Sequence, residues 1–575
     1  MATGELGRLA RRESLVAAIA AAVVSVAHVA LAAARGALGA ARNDDWTYYD
    51  IAFRLVSTGR LRLDGWTQAL FAGQAVMAAP VIEVFGEKIA PLQCAVAVAG
   101  AVGLWACYVT VRRLLPARPA ALCVACLALG PLYGVLSTSF MTDVPAFTLQ
   151  MLTLLAGMQA LRAAPGSLRW FTFAMTLGLL AFSVREYAVA AGLAVALTFI
   201  AQQRHADRRL CRQAVAVSAL WVALLVALYW WRNTLDNSYT TQLELTARSF
   251  GGAARTAGRA AVTLGLLVAP AVVAISPARL ARLAWRRSRA GSIVVVAGWL
   301  ACAVFAHDLL GNYLLRTSAY SVTVPGVAPR ILPAWLWVAL HAAGLASLLL
   351  LGALAVVAFS GDSGAPSPVA RARAQPPLAL ALVFTAAAGA LPVAVNAVTD
   401  APLFDRYLLP LVPFVAALAL RLGRSCDLLM RPAIRVSGAA LMAVAGVGII
   451  VADAAATVDG AKWRIAQDVR SLGFAAGTID GGYEWFGLHQ HAIVHPTALQ
   501  VEGSPLASSF GDDVTICVVV RHARAGDAAP AARPDPGTAW QAGDVVARLT
   551  ARTALGVRYD LEAVATAAEC VPSPP

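Results

Sequence analysis

Apolar runs of about 20 residues recur along the chain, and each is long enough to cross the hydrocarbon core of a bilayer as a helix. The first run is uncharged from Leu15 to Ala34 apart from the titratable His28. Only 14% of the 575 residues are charged, too little polar surface to cover a soluble globule. We therefore predict an all-α polytopic membrane protein with about 13 transmembrane helices. The predicted spans lie near residues 14–40, 88–111, 118–140, 144–161, 170–184, 187–203, 212–231, 259–279, 291–310, 331–358, 377–397, 407–421 and 436–455.

The basic residues between these runs predict how the chain crosses the membrane. The formal net charge is +14, and most of the excess is arginine in short clusters between spans, which indicates topology rather than a nucleic-acid partner. Under this span count every cluster falls on one side, which the positive-inside rule makes the cytoplasm. We expect a cytoplasmic N-terminus with no cleaved signal peptide, in the inner or plasma membrane. The clusters are Arg8, Arg11 and Arg12; Arg112 and Arg113; Arg162 and Arg169; Arg204, Arg208 and Arg209; Arg279, Arg282, Arg286, Arg287 and Arg289; Arg371 and Arg373; and Arg421, Arg424 and Arg431.

Composition divides the chain into a membrane module and a tail. Residues 1–455 form the predicted transmembrane module, interrupted at 361–376 by a cytoplasmic linker rich in Gly, Ser, Pro and Arg. Residues 456–575 form a predicted small extracytoplasmic domain, because an odd number of spans ends on the outer face. Its apolar patterns predict a mixed α/β fold, with a helix at 459–472 and strands at 514–520 and 544–549.

Cysteines and histidines of the tail do not predict a metal site. His489, His491 and His495 stand at loop spacings where histidines are mostly solvated. The stretch "GGYEWFG" before them predicts a turn with aromatic contacts. Cys517 and Cys570 lie on the oxidising side and are able to form a disulfide, a pairing that the sequence leaves open.

The first outer loop, residues 41–87, carries the pattern of a short amphipathic helix. Apolar and aromatic residues recur at spacings of three and four from Trp46 to Val56. This pattern predicts a helix over 46–58 lying along the membrane surface, and Gly59 is placed to end it.

Three carboxylates stand where the chain meets the outer face. Asp44 and Asp45 precede the predicted helix, so one of them is able to cap it while the other is solvated. Asp143, in "TDVP", is also placed to start a helix. The alternative is that these carboxylates do chemistry at the membrane surface, where burial and mutual repulsion raise a carboxylate pKa to a useful value.

Basic and polar residues on the same face are candidate substrate ligands. Arg185 and Glu186 divide the longest apolar stretch into two spans, either as a structural ion pair or with Arg185 on a phosphate and Glu186 on the acceptor side. Arg406 and Tyr407 open a span where a guanidinium is able to hold a phosphate through two hydrogen bonds, with interfacial anchoring as the alternative. Arg54, on a second face of the first-loop helix, completes the set.

These segments resemble a known family. "NDDWTYYDIAFRLVSTGRL", "APVIEVFGEKIAPLQCAVAVAGAVGLWACYVTVRRL", "SFMTDVPAF", "SVREY" and "FDRYLLPLVP" are similar in order, spacing and side to the polyprenyl-phosphate-sugar-dependent glycosyltransferases of the C class (GT-C). That class includes the family 39 protein mannosyltransferases and the aminoarabinose transferases. The resemblance covers about residues 40–190 and 400–420. Family members usually carry Asp-Glu where this chain has Asp44-Asp45, which leaves open which of the two corresponds to the catalytic carboxylate.

The resemblance implies a GT-C-like fold and an integral membrane glycosyltransferase of the hexosyl, pentosyl or mannosyl transferase type. A sugar would move from a polyprenyl-phosphate carrier to a cell-envelope acceptor, a lipid, glycan or protein, on the outer face. Asp44 or Asp45 would act as general base with inversion at the anomeric carbon, and Asp143 would orient the acceptor or the first-loop aspartate. Membrane lipids are the other expected partners. The sequence identifies no cofactor and leaves a divalent cation, Mg²⁺ or Mn²⁺, open.

Two other functions fit a multi-span protein. A lipid-linked oligosaccharide polymerase or ligase is expected to place its key arginines in a large later outer loop, for which 232–258 is the modest candidate. A transporter or flippase is expected to carry charges near span midpoints and paired broken helices. Here the charges cluster at span ends, with His307-Asp308 as a partial exception, which favours the transferase.

Overall fold

The computed structural model describes residues 2–67, 69–162, 166–238, 247–320, 324–360, 375–399, 401–430, 433–490, 515–523 and 540–566. They form a helical bundle with a small sheet near the C-terminus. The helices are α1 (Ala2–Ala34), α2 (Asp45–Thr58), α3 (Ala72–Phe85), α4 (Ile89–Val111), α5 (Ala117–Ala128), α6 (Tyr133–Leu136), α7 (Asp143–Ala160), α8 (Ser167–Val184), α9 (Val189–Ala206), α10 (Arg208–Asn233), α11 (Ala247–Val272), α12 (Pro277–Arg287), α13 (Arg289–Phe305), α14 (Ala334–Phe359), α15 (Pro376–Thr399), α16 (Leu411–Ser425), α17 (Ala433–Ser471) and α18 (Tyr483–His489). The strands are β1 (Ile479–Asp480), β2 (Val518–His522), β3 (Val545–Arg552) and β4 (Arg558–Ala565).

The predicted fold class is confirmed, since the chain is mostly helical, carries many apolar helices and adds a small mixed sheet. Within the described residues, 7 helices are long and apolar enough to span a bilayer: Arg11–Ala34, Ile89–Val111, Ser167–Val184, Arg208–Asn233, Ala334–Phe359, Pro376–Thr399 and Ala433–Ser471. The protein is therefore a multi-pass membrane protein. The count of about 13 spans, drawn from the sequence, stays a prediction.

Two helix boundaries bear on the predicted spans. The first helix ends at Ala34 rather than near residue 40, because the chain turns at Gly36 and Gly39, both of which have positive φ. The division at Arg185-Glu186 is present: α8 ends at Val184, Arg185 is extended, and a short 3₁₀ turn leads into α9.

Helix α2 covers the predicted 46–58 helix and ends at Gly59 in the left-handed conformation, as expected. Its surroundings differ from the prediction. Trp46 and Tyr49, assigned to the membrane surface, are buried inside the protein at 2% and 0% exposure. Helix α18 packs against α2 so closely that a Cβ on Gly487 would lie 2.5 Å from the Trp46 ring. A pattern of apolar spacing marks the buried face of a helix but does not say whether lipid or protein covers it.

Helix α17 joins the membrane bundle to the sheet. Its 39 residues span about 58 Å at 1.5 Å per residue, roughly twice the thickness of a bilayer core. The stretch predicted as a separate helix at 459–472 is the end of this one helix, and residue 455, the predicted end of the membrane module, lies within it. Gly460 lets α17 pass α1, since a Cβ there would overlap the backbone carbonyl of Arg35. The two-part division stays a prediction.

The sheet has the order β1-β2-β4-β3, with β1 parallel to β2 and the other pairs antiparallel. Its apolar face packs on the end of α17 around Ile465, Val469, Trp485, Val518 and Leu561. The strands predicted at 514–520 and 544–549 correspond to β2 and β3, displaced by a few residues. Strands β1 and β4 were not predicted.

Some predictions concern residues outside the described ranges. The linker lies almost wholly there, at 361–374, and so do His491, His495 and Cys570. Cys517 is disulfide-bonded, while the other cysteines of the described residues are free. The pairing of Cys517 with Cys570 stays a prediction.

Candidate active site

The candidate residues come together where several helices begin or end. Asp44 immediately precedes α2, Asp143 is the first residue of α7, and Arg185 follows α8. Arg406 and Tyr407 lie in a 3₁₀ turn before α16. Helix termini leave side chains free to converge on a common space because the chain changes direction there. Sequence reasoning placed these residues on one face, and the structure adds that all five share one site.

The two adjacent aspartates have different surroundings. Asp45 is 0% exposed, and its carboxylate accepts hydrogen bonds from the backbone N–H groups of Arg42 at 2.5 Å and Phe140 at 3.1 Å. Burial raises the pKa of Asp45 well above its usual range. A raised pKa suits a general base, but both oxygens of Asp45 are engaged and no solvent reaches them. Asp45 therefore ties the first loop to the segment before α7.

Asp44 instead faces the shared site. Its side chain is 27% exposed, the Trp66 indole N–H donates to one oxygen at 3.1 Å, and the other oxygen lies 3.7 Å from the Arg406 guanidinium. Asp44 occupies the N-cap position of α2, yet its side chain accepts no capping hydrogen bond from the helix. The capping interpretation does not account for Asp44. Its carboxylate is both accessible and oriented.

Asp143 forms the buried wall of the site. It is 0% exposed, one oxygen accepts a hydrogen bond from the Tyr187 hydroxyl at 3.1 Å, and the same oxygen lies 3.8 Å from Arg406 Nε. Its second oxygen has no hydrogen-bond partner among the residues that the structure describes. Asp143 makes no capping bond to α7, where Thr142 is the N-cap. A buried carboxylate oxygen without a partner is costly, and such oxygens concentrate at functional sites.

Arg406 is held in place by aromatic rings. Its guanidinium carbon lies 4.6 Å from the centre of the Phe404 ring and 5.9 Å from that of Tyr313, and its side chain is 4% exposed. Its contacts with the two carboxylates, at 3.7 and 3.8 Å, are longer than hydrogen bonds. Rings fix the position of the cation but accept few of its N–H groups, so donors remain for an anionic ligand.

Arg185 supplies a second cation. It donates to the hydroxyls of Tyr48 at 3.1 Å, Thr142 at 3.3 Å and Tyr407 at 3.0 Å. An ion pair with Glu186, one of the two alternatives that the sequence left open, is not among these contacts. Hydroxyl groups orient the guanidinium without neutralising its charge, which leaves that charge for a ligand.

Glu186 and Tyr407 open onto a cavity of about 280 Å³ beside Arg185. These three residues lie on its polar side, while Leu391 and Val395 of α15 line its apolar side. The polar lining also includes Tyr187, Tyr229 and Asn396. Burial raises the pKa of Glu186. A cavity with a cation at one edge and an apolar wall fits a phosphate attached to a lipid chain.

Arg54, also predicted as a ligand, pairs with Asp50 at 2.9 Å one turn earlier on α2. The sequence did not single out Asn43, Tyr187, Tyr313 or Trp66. Tyr187 was visible only as a part of "SVREY", and Trp66 only as one aromatic residue of a long loop. The aromatic contacts predicted for "GGYEWFG" are present, but the predicted turn is wrong, because Tyr483–His489 form helix α18.

The aromatic contacts of Tyr483 connect the C-terminal tail to the candidate active site. The Tyr483 hydroxyl donates to Asn43 Oδ1 at 2.5 Å, and its ring stacks on Trp66 at 5.5 Å. Asn43 in turn donates to the Tyr313 hydroxyl at 2.9 Å. Trp66 thus holds Asp44 on one side and the tail on the other.

A second charge cluster lies behind the first loop. Asp459 of α17 contacts Arg42 at 2.8 Å and Lys462 at 3.6 Å, and accepts from the Tyr320 hydroxyl at 2.9 Å. Lys462 also pairs with Glu484 at 2.8 Å. These four ionic side chains are at most 4% exposed. This cluster joins the first loop to the tail.

No group of three or more metal-ligating side chains occurs in the described part of the chain. The positive charge between Asp44 and Asp143 comes from Arg406. A divalent cation, left open by the sequence, gains no set of ligands from these residues.

Residues 73–231 match the model of the family described as dolichyl-phosphate-mannose-protein mannosyltransferase. The matched segment runs from α3 into α10 and contains Asp143, Arg185 and Glu186. It confirms, over that segment, the resemblance to the polyprenyl-phosphate-sugar-dependent glycosyltransferases. The fold is that of a multi-pass membrane protein, and the matched segment is similar to a family of membrane glycosyltransferases. No curated protein matches the chain.

Three solved structures resemble the chain at low identity. ArnT from Cupriavidus metallidurans in the apo state is 13% identical, with 96% of this chain and 98% of that chain covered and a TM-score of 0.40. The same protein bound to undecaprenyl phosphate is also 13% identical, with 98% of this chain and 99% of that chain covered and a TM-score of 0.40. The third is the archaeal oligosaccharyltransferase AglB from Archaeoglobus fulgidus in complex with an inhibitory peptide and a dolichol-phosphate. It is 14% identical, with 88% of this chain and 69% of that chain covered and a TM-score of 0.42. TM-scores this low carry no weight for the activity of this chain.

Proposed function

We propose that this protein transfers a sugar from a polyprenyl-phosphate carrier to a hydroxyl or amine of a cell-envelope acceptor, with Asp44 as general base. One observation carries the proposal: Asp44 is a solvent-reachable carboxylate held 3.7 Å from a buried guanidinium, in the same site as Asp143 and Arg185. An acceptor that must lose a proton and a donor that must release a phosphate need this pairing of base and cation.

In the proposed reaction the acceptor oxygen or nitrogen attacks the anomeric carbon of the donor sugar while its proton passes to the Asp44 carboxylate. The bond between the anomeric carbon and the phosphate oxygen breaks, and the electron pair leaves with the phosphate. The products are the glycosylated acceptor and polyprenyl phosphate. Attack from the face opposite the leaving group inverts the anomeric carbon.

Each cation has a distinct part in this reaction. Arg406 lies between Asp44 and Asp143 and stabilises the charge that develops on the departing phosphate. Arg185, at the edge of the partly apolar cavity, holds the phosphate while the lipid chain lies along the wall formed by Leu391 and Val395. Glu186 contacts the acceptor side.

Asp143 positions the acceptor in this mechanism. Its unpartnered oxygen accepts a hydrogen bond from the acceptor group, and Tyr187 fixes the orientation of the carboxylate. Asp45 is a structural residue that keeps the adjoining Asp44 in place.

The proposed orientation puts this site on the outer face. Helix α7 begins at the site with Asp143 and is followed at its other end by Arg162, and α4, which packs beside it, is followed by Arg112 and Arg113. With the clusters cytoplasmic, the N-terminus is cytoplasmic and the tail is extracytoplasmic. A protease-cleavable tag at each terminus of the protein in sealed, right-side-out membrane vesicles tests this. Cleavage of the C-terminal tag alone is the expected result.

The activity is tested by transfer of radiolabelled sugar from a panel of polyprenyl-phosphate donors in membranes that contain the protein. The informative variants are Asp44→Asn and, as a matched control on the same loop, Asp50→Asn. We expect the wild type and the control to consume one donor, and Asp44→Asn to bind that donor without turnover. Consumption of no donor by the wild type would overturn the proposed function, and full turnover by Asp44→Asn would overturn the role of Asp44.

A further inference from the structure

Two adjoining cavities lie at the end of the bundle opposite the candidate active site. One, of about 320 Å³, is lined by Arg113, Arg162 and Arg421 together with Gln375. The other, of about 380 Å³, is an apolar groove between α14, α15 and α16. The two share Gln375, Leu378 and Arg421 in their linings. A cationic pocket therefore continues directly into an apolar groove.

The arginines of this pocket come from helix ends that are distant in sequence. Arg113 follows α4, Arg162 follows α7, and Arg421 lies in the last turns of α16. Arg421 is held in place, since it donates to the carbonyl of Leu114 at 2.6 Å and to the side chain of Gln375. None of the residues that line either cavity in the described part of the chain is acidic.

The adjacent arginine shows what an internally paired cation looks like at this end of the bundle. Arg112 pairs with Glu13 of α1 at 2.9 Å. Arg113, the next residue, lines the cationic cavity instead. Three guanidinium groups with no carboxylate in their shared lining attract an anion, and a phosphate monoanion or diester fits their donor geometry.

The apolar groove indicates that the ligand is a lipid rather than a soluble anion. Along α16 it runs from Val415 to Ser425, which is about 15 Å at 1.5 Å per residue. Its walls are aliphatic or aromatic apart from Thr385, Ser425 and the shared polar residues. That length and character fit a large part of one acyl chain, which a free phosphate does not possess.

The distance from the candidate active site excludes the donor lipid as the intended occupant. Helix α7 begins at Asp143 and ends at Ala160, next to Arg162, so the two ends are about 27 Å apart. A phosphate held by Arg162 lies too far from Asp143 to be the one that leaves the sugar. This lipid is therefore distinct from the substrate of the proposed function.

We propose that the cavity and the groove form a binding site for an anionic phospholipid of the leaflet opposite the active site. Its phosphate contacts Arg113, Arg162 and Arg421, and one acyl chain lies between α14, α15 and α16. The lipid joins the ends of α4, α7 and α16, of which α7 begins at Asp143 and α16 follows Arg406 and Tyr407. Charge complementarity and the continuity of the two cavities support this occupant.

The test uses the full-length protein, purified in detergent, with phosphatidylglycerol and phosphatidylcholine as probes and retained lipid counted by native mass spectrometry. The double variant Arg113→Gln/Arg162→Gln removes two cations without touching the hydrogen bonds of Arg421. The matched control is Arg424→Gln, an exposed arginine one turn from Arg421 that lines neither cavity.

We expect phosphatidylglycerol to bind more tightly than phosphatidylcholine to the wild type and to the control. Near a membrane surface each cation changes binding of an anionic lipid by roughly fivefold, so the double variant should bind phosphatidylglycerol about 25-fold more weakly. Equal binding by the wild type and the double variant, or equal binding of the two lipids, would overturn the proposal. So would displacement by inorganic phosphate, which identifies a site for a free anion, or preferential binding of undecaprenyl phosphate, which identifies a carrier site.

Discussion

Two groups of charged side chains flank the first loop, and they differ in how closely their charges are paired. Behind the loop, Asp459 and Glu484 contact Arg42 and Lys462 at distances from 2.8 to 3.6 Å. In front of it, Arg406 approaches Asp44 and Asp143 only to 3.7 and 3.8 Å. In the rear cluster each charge has an opposite charge at 2.8 Å, although Glu484 Oε2 has no hydrogen-bond partner among the described residues. The front cluster is open.

This difference in pairing indicates which cluster would be stabilised by a bound anionic ligand. A phosphate added to the rear cluster would compete with two ion pairs that already lie at 2.8 Å. In the front cluster, Arg406 Nε and one oxygen of Asp143 are buried without hydrogen-bond partners among the described residues. A substrate that satisfies both groups offsets the free energy that their burial costs. Buried charge alone does not identify a functional site. The front cluster differs because its cation has no carboxylate within hydrogen-bond distance.

The largest effect on the stability of the protein is expected from a substitution in the rear cluster. Asp459→Asn leaves Arg42 and Lys462 without their shared carboxylate, and removing one partner of a buried pair typically costs about 3–5 kcal/mol. We expect a large fall in the melting temperature of the detergent-solubilised protein. Asp468→Asn, at an exposed position on the same helix, is the control and should leave the melting temperature unchanged. If Asp459→Asn were as stable as the wild type but no longer transferred sugar, Asp459 would take part in the reaction. The contrast between a structural rear cluster and a functional front cluster would then be wrong.

In the front cluster, Arg406→Gln should act on turnover. Loss of a cation aimed at developing phosphate charge costs roughly 10²–10³ in turnover. Arg406→Lys, which keeps the charge but not the planar fork, should recover only a part of it. Arg54→Gln removes an arginine paired with Asp50 on the other face of α2, and we expect less than a twofold change, on the order of surface substitutions. Transfer rates at saturating donor measure all three, and an equal loss in Arg54→Gln would contradict the assignment.

Asp405 gives the front cluster a dependence on pH. Burial raises the pKa of Asp405 to about 7, although the backbone N–H groups of Tyr313 and Leu314 donate to it at 2.8 and 2.7 Å. Between its usual value of 3.8 and about 7, the folded protein holds this proton and the unfolded chain does not. The free energy of unfolding therefore falls as the pH rises through that window, with a slope of at most about 1.4 kcal/mol per pH unit.

Melting temperatures measured from pH 4 to 8 for the wild type and Asp405→Asn check this expectation. The difference between the two proteins should grow with pH in favour of the variant and level off above about pH 7. A difference that is constant across the range would show that Asp405 is ionised throughout.

The smallest effect is expected at Tyr187. Tyr187→Phe removes the hydroxyl that donates to Asp143 at 3.1 Å, at a cost of about 1 kcal/mol, or roughly fivefold. In the proposed mechanism Asp143 orients the acceptor, so the change should appear in the KM for acceptor and not in donor binding. Tyr559→Phe, a buried tyrosine in the sheet, is the control. An equal effect of both variants would point to a general loss of packing.

The sequence predicts the membrane class, the division at Arg185 and most of the residues that converge on the site. Runs of apolar residues and clusters of arginine are sufficient for these predictions because bilayer thickness and membrane topology constrain them directly. The division of labour between Asp44 and Asp45 was not predictable, because it depends on backbone N–H groups of Arg42 and Phe140 that only the folded chain brings together.

Long-range contacts explain the remaining differences. The protein covering of Trp46 comes in part from α18, more than 400 residues away in the chain. Tyr483 reaches Asn43 across a separation of 440 residues. The rear cluster joins Arg42 to Asp459 across 417 residues. No local pattern in the sequence reports contacts at such separations.

The most direct test compares Asp44→Asn with Asp45→Asn in one preparation, with sugar transfer, donor binding and melting temperature measured for each. We expect Asp44→Asn to lose about 10²–10⁴ in turnover, to bind donor and to melt like the wild type. Asp45→Asn should melt earlier, since the amide is unable to accept both backbone hydrogen bonds, a loss of about 1–3 kcal/mol. Full turnover in Asp44→Asn, or lost turnover with an unchanged melting temperature in Asp45→Asn, would contradict the assignment of chemistry to Asp44 and structure to Asp45.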